Sequence, residues 1–381
     1  VELSRIKETL RLYCRALSDM DVEIASPAGD AARGKGWVSL ERVMEEGATI
    51  YLPQVSENFN SKEHNYDWYK VVATHQTAHL EFQSFRFSFG RPAAVFSNMR
   101  YDIVSLEEWE NTAEDEEDNE AERILAQADL QRFFTLFEDG ILARDIFTAV
   151  EDCRLDYRVK KEYPGIKSAY ARVQGQSLDG RPPIEDLPAQ EAMVELLIRF
   201  SLQQGQELMV PEKYSEWAKA LWGVVQPLSS SQALVEDSAE AVIRLYQLIS
   251  QIPNEDLSDQ SWDEGIFQNQ SWEEGEGDEE GDDQQQEESW EEILKRLAES
   301  QPVAQEGESR PYQSPPNVDF RGDFKPELMQ LMSLLKDTQR ERGATGETMS
   351  KEDMERLLAE ANEMSFSADR GELKRGGAFV S

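Results

Sequence analysis

The chain is poor in four things, and each shortage removes a class of function. There are two cysteines, Cys14 and Cys153, in 381 residues. They lie far apart and in no Cys-x-x-Cys pattern, which suits a reducing compartment where thiols stay free, with a disulfide between them the less expected alternative. No run approaches the roughly 18 apolar residues of a membrane span. The first residues, VELSRIKETLRLYCRAL, read as a charged amphipathic helix and not as a secretion signal. A cytoplasmic protein without a membrane partner is expected. Basic charge is also scarce: 39 Lys and Arg face 76 Asp and Glu, for a net charge of −37. Such a field repels phosphate backbones, and no basic stripe opposes it, so nucleic acid is not an expected partner. Histidine is the last shortage, with only three in the whole chain.

Two of those three are His75 and His79, in the stretch YKVVATHQTAHLEFQSFRFSF from Tyr69 to Phe89. Val71, Val72, Ala78, Phe82 and Phe85 recur at three- and four-residue steps and predict a helix with one apolar face. Residues four apart share a face, so both imidazoles reach toward one point. That is the spacing of two zinc ligands on a helix. It is also the spacing of two packed histidines bonded to neighbouring carbonyls or carboxylates, and the pattern alone leaves both readings open. A zinc peptidase would read His-Glu-x-x-His, with the glutamate as base. Here the place is held by Gln76, whose amide cannot take a proton from a metal-bound water. Catalysis is therefore the less expected outcome. His64, upstream in a polar segment, reads as solvated, and Asp67 is the expected N-cap of the histidine helix.

The acidic charge is concentrated. Residues 107–122 hold ten acidic and no basic residues, and residues 255–310 hold twenty acidic and three basic. The remainder is mildly acidic. The first run reads as an exposed loop inserted in a helical domain spanning 1–250. That domain carries amphipathic helical patterns from residues 2–20 onward and at most a minor β element, a brief strand in ATIYLPQVS. Leu40, Val43 and Met44 suggest a further short helix. The second run is Gln-rich and poor in branched aliphatics, and a disordered acidic linker over 251–318 is expected from it. Trp262, Trp272 and Trp290 stand within it, each in a Ser-Trp-(Asp/Glu)-Glu context, as candidate anchors for a partner. Residues 319–381 read as short helices and a connector.

A second informative stretch is ILARDIFTAVEDCRLDYRVKKEYPG, a predicted helix ended by Pro164-Gly165. Glu151 is a candidate third ligand for a metal held by His75 and His79. The alternative is a salt bridge from Glu151 to Arg154 or Arg158. The HQTAH helix, the EDCRLDY helix ending in YPG, and the acidic low-complexity region before a short helical connector together resemble the N-terminal region of NorD/CbbO-type proteins. These are von Willebrand factor A proteins that work with MoxR-type AAA+ ATPases. The resemblance covers roughly the first 250 residues in pattern and the rest in layout. It implies a mainly α fold, a helical and degenerate zinc-peptidase-like domain. It places His75, His79 and Glu151 at metal-ligand positions, with Gln76, Asp152 and Arg154 in supporting roles, and zinc or no cofactor. The function it implies is that of a non-catalytic adaptor with a MoxR-type ATPase and a client metalloenzyme as partners. A zinc-dependent hydrolase using His75, His79 and Glu151, with Glu81 or Asp152 as base, and a metal-free helical scaffold are the alternatives. The chain departs from the family in lacking the Asp-x-Ser-x-Ser motif of an A-type domain. Either the protein lacks such a domain or, as the ending GGAFVS suggests, the domain follows outside the present sequence.

Overall fold

A computed structural model describes residues 1–19, 21–26, 37–38, 48–106, 108–109, 128–203, 208–211, 214–255, 264–267, 310–322 and 330. Helices dominate. In chain order they are α1 (Leu3–Ser18), α2 (Lys62–Glu81), α3 (Arg100–Ile103), α4 (Asp129–Phe134), α5 (Gly140–Glu162), α6 (Lys167–Asp179), α7 (Ala189–Leu202), α8 (Ser215–Val225) and α9 (Val235–Ile249). Strands β1 (Val22–Ala25), β2 (Trp37–Val38) and β3 (Ala48–Tyr51) form one small sheet in the order β1-β3-β2, with β1 parallel and β2 antiparallel to β3. Strands β4 (Leu208–Pro211) and β5 (Glu264–Phe267) form an antiparallel pair.

The expected helix at Leu40–Met44, most of the acidic loop 107–122, Trp262, Trp272, Trp290 and nearly all of 323–381 lie outside the described residues. Three parts of the expected linker 251–318 are described, and the first, 251–255, follows α9 with Ile252 and Asn254 buried. Residues 264–267 are β5, and residues 310–318 lie on the helical domain, through bonds such as Tyr312 Oη to Asp145 at 2.8 Å.

Two apolar clusters make up the interior. One joins α4, α7, α8, α9 and the first half of α5, through residues such as Phe133, Ile146, Leu196, Leu221 and Ile243. The other joins α1, the β1-β3 pair, α2 and α6, through Leu10, Ile24, Val71, Val72 and Tyr170. Helix α5 belongs to both: Val150 and Cys153 face the first cluster, while Leu155 and Val159 face the second. The seam between the clusters thus passes along the middle of α5, where EDCRLDY sits. Both cysteines are free and buried. Burial pushes the Cys14 thiol up to about 11 and Cys153 also upward, which disfavours the thiolate at both.

Local signals set the ends of the two helices that matter most. Helix α2 starts earlier than its apolar periodicity suggests, because the Ser61 hydroxyl accepts from the His64 amide and caps it. Asp67, the expected cap, is instead inside the helix and pairs with Arg172 at 2.8 Å. Helix α5 begins at Asp139, whose carboxylate accepts from the amides of Ile141 and Leu142, and it ends before Pro164. No helix among the described residues is long and apolar enough to cross a membrane.

Candidate metal centre

Helix α2 closes with a turn that shapes the site. Gln83 takes a left-handed φ of 61°, and the Ser84 amide reaches back to the His79 carbonyl at 3.0 Å. This close is of the Schellman type, with glutamine where glycine is usual. It brings the Ser84 hydroxyl to 3.1 Å from His79 Nδ1. The Ser84 proton goes to Glu151 Oε1 at 2.5 Å, so Ser84 accepts from the Nδ1–H of His79. The lone pair of His79 is thereby left on Nε2.

His75, one turn earlier, is held in the same sense. Its Nδ1 lies 3.2 Å from Asp156 Oδ1, and its Nε2 lies 3.3 Å from Asp152 Oδ1. The two imidazole rings meet edge to face at 5.1 Å between centroids. Asp152 and Asp156 are four apart on α5 and share the face turned to α2. One nitrogen of His75, one of His79 and one oxygen of Asp152 all lie within 4.8 Å of one another. These residues are 0, 1 and 4 % exposed.

The donor set fits a divalent metal. Two imidazoles and a carboxylate suit zinc, whose bonds of about 2.0–2.2 Å put ligand atoms roughly 3.3 Å apart. His75 Nε2 and Asp152 Oδ1 are already at 3.3 Å, and neither makes a well-formed hydrogen bond. The outer partners are of the kind that fix ligand tautomers: Asp156 behind His75, and Ser84 with Glu151 behind His79. The two aspartates act on His75 as on a cation. Burial lowers its pKa, but the bonds and charges of Asp152 and Asp156 outweigh that and raise it to about 9. For His79 the balance falls the other way. Burial, then the charges of His75 and Arg154, hold its pKa well below the usual value.

Glu151 stands outside the converging group. It accepts from Arg154 at 2.6 and 2.9 Å, from Ser84 at 2.5 Å and from Ser238 at 2.7 Å. Burial raises its pKa, but Arg154 and the two serines lower it further, so the carboxylate is ionised and surrounded by donors. The Ser84 hydroxyl links it to His79. Asp152, expected in a supporting place, is the carboxylate that lies with His75 and His79 in the group that could hold a metal ion. Arg154 does support the site: beyond Glu151 it donates to the carbonyls of Phe82 and Ala233 at 3.1 and 3.2 Å. Gln76 donates its amide to the carbonyl of Arg321. Glu81, considered as a base, accepts from Tyr163. His64 packs edge-on against Phe59 and is not in the group.

Three members of the site were not foreseen, and Ser84, just past the end of α2, is one. Asp156 had a readable signal, since it lies four residues from Asp152. Arg321 had none. Its guanidinium meets Asp152 Oδ2 at 3.2 Å, Asp156 Oδ2 at 2.5 Å and Ser201 Oγ at 2.7 Å.

Compared with known proteins, the chain matches no family model, no curated protein and no solved structure.

Proposed function

We propose that the chain is a non-catalytic adaptor built on a helical, degenerate zinc-peptidase-like domain. Its partners in this reading are a MoxR-type AAA+ ATPase and a client metalloenzyme. His75, His79 and Asp152 would hold a divalent metal, with Asp156, Ser84 and Glu151 orienting the ligands. When bound, the metal supplies a concentrated positive charge that ties α2 to α5.

One observation carries the non-catalytic part. Where a zinc peptidase has its glutamate base, this chain has Gln76, and the amide donates to the Arg321 carbonyl. An amide accepts no proton at neutral pH, and here it serves as a backbone clamp. In this reading Asp152 would be a ligand, and Glu81 is engaged by Tyr163, so the other carboxylates considered as base would have different roles.

The partner part is supported by the resemblance of HQTAH, EDCRLDY and the acidic layout. It is also supported by charge: an acidic tract with a few tryptophans suits fast, salt-sensitive docking on basic surfaces, which a ring ATPase presents repeatedly.

The test uses the full chain and a cognate MoxR-type ATPase. Zinc-loaded protein should hold one metal per chain and hydrolyse no peptide. Binding to the ATPase should weaken with salt and on replacing Trp262, Trp272 and Trp290 by Ala, with the helical domain still folded. Peptide hydrolysis that depends on Asp152 would overturn the non-catalytic part. Absence of any ATPase binding would overturn the adaptor part.

A further inference from the structure

The segment 310–322 returns across the helical domain and ends in the metal centre. Arg310 donates its amide to the Asn254 carbonyl at 2.9 Å, and Gln313 donates its amide to Glu191 at 2.9 Å. Arg181 reaches the Pro316 carbonyl at 2.5 Å. Val318 and Phe320 then enter the second apolar cluster, with the Phe320 ring 5.7 Å from that of His75. A turn from Val318 to Arg321, closed at 3.0 Å, is followed by Gly322 with φ of 75°, a value that favours glycine. The turn drives the Arg321 side chain between Asp152 and Asp156, where the residue is 3 % exposed.

We propose that this segment is an internal ligand of the centre, and that Arg321 and a divalent cation exclude one another there. The inference rests on the metal reading of His75, His79 and Asp152. Asp152 and Asp156 bring two negative charges to a closed space. A dication bound to His75, His79 and Asp152 neutralises both without help. Arg321 beside it would then be a surplus positive charge, sharing a carboxylate with the metal and shielded from water. Lys160, 3.3 Å from Gln174, adds to the surplus, because Gln174 is itself bonded to Asp156. Among the described residues the other buried carboxylate close by, Glu151, is already matched by Arg154. The guanidinium therefore occupies the aspartate pair when metal is absent. Metal loading releases the Phe320-Arg321 turn, leaving the Gln76 clamp and the Phe320 packing to oppose the release.

Linkage makes the effect reciprocal, so one factor should appear in two measurements. The full chain is titrated with zinc, counting only the binding lost in His79→Ala. Hydrogen exchange of the amides at 318–322 should speed up by about five- to a hundredfold on zinc loading, a typical coupling range. Arg321→Ala should bind zinc more tightly by the same factor. The exchange arm uses the unaltered chain, so it stands even where the variant folds poorly. Zinc that binds while leaving exchange at 318–322 unchanged or slower would overturn the exclusion and leave the metal reading intact. No His79-dependent zinc binding, in either the unaltered chain or Arg321→Ala, would overturn both.

Discussion

Ser84 stands 3.1 Å from His79 Nδ1 and decides which nitrogen of that ring faces the site. Its own proton is committed to Glu151, so the hydroxyl acts toward the imidazole only as an acceptor. Ser84→Ala should therefore lower zinc affinity by about ten- to a hundredfold, the usual effect of losing an outer partner. Competition with a chromophoric chelator would measure it. Glu151 keeps Arg154 and Ser238, so the fold should survive. An unchanged affinity would mean that the tautomer is set by something other than Ser84.

Asp152 and Glu151 are neighbours with separable roles. Asp152→Ala should remove zinc binding. Glu151→Ala should instead destabilise the domain by about 3–5 kcal/mol, because it strands Arg154 as a buried charge. Denaturant unfolding reads the second effect in the metal-free protein, and zinc titration reads the first. Loss of stoichiometric zinc in Glu151→Gln, with Asp152→Ala still binding, would restore Glu151 as the ligand.

Metal uptake and pH should be linked through His75. The ring must give up its proton to present Nε2, and its pKa is raised to about 9. Apparent zinc affinity should then fall by roughly tenfold per pH unit below about 9, with a proton released on binding. Calorimetry in buffers of different ionisation heat would count that proton. The metal-free fold should respond in the opposite sense. A raised pKa contributes stability that is fully present below the ordinary value of 6.5 and is lost as pH climbs through about 9. His79, whose pKa is depressed, works the other way and removes stability as pH drops below 6.5. Thermal unfolding of metal-free protein should therefore show a maximum near pH 6.5, with stability falling toward pH 9 on one side and toward acid on the other.

Gln76→Glu is the substitution that would supply a peptidase base. It should still give no hydrolysis. A carboxylate cannot donate to the Arg321 carbonyl, and two acceptors would face each other at a buried position. Looser docking of 318–322 is expected, seen as faster hydrogen exchange there. Peptidase activity in this variant would show that only the base was missing.

The sequence made the histidine pair legible because a four-residue step on a helix needs no tertiary information. It could not choose between Glu151 and Asp152. Adjacent helical residues point about 100° apart, and which one meets α2 depends on the rotation of α5 in its packing. Two patterns are interleaved there: Glu151 with Arg154 serves one face, and Asp152 with Asp156 the other. Reading both would have exposed the second carboxylate. The Asp67 cap failed for a related reason, since the apolar periodicity starts after Ser61 has already begun the helix. Arg321 was beyond reach, because an arginine 165 residues from Asp156 leaves no local trace of its partner. The helical character of the chain was plain from its periodicity, whereas the short β4-β5 pairing involves residues whose surrounding composition does not favour strand.

That separation of 165 residues also has a meaning in time. Chains are made from the N-terminus at about 5–20 residues per second. The two histidines and both aspartates are therefore complete roughly ten to thirty seconds before Arg321 exists. Once α5 packs on α2, the growing chain presents its donor set with no guanidinium to contest it. First access to the centre would thus belong to whatever cation the surrounding solution offers during synthesis, and Arg321 would arrive as the later competitor.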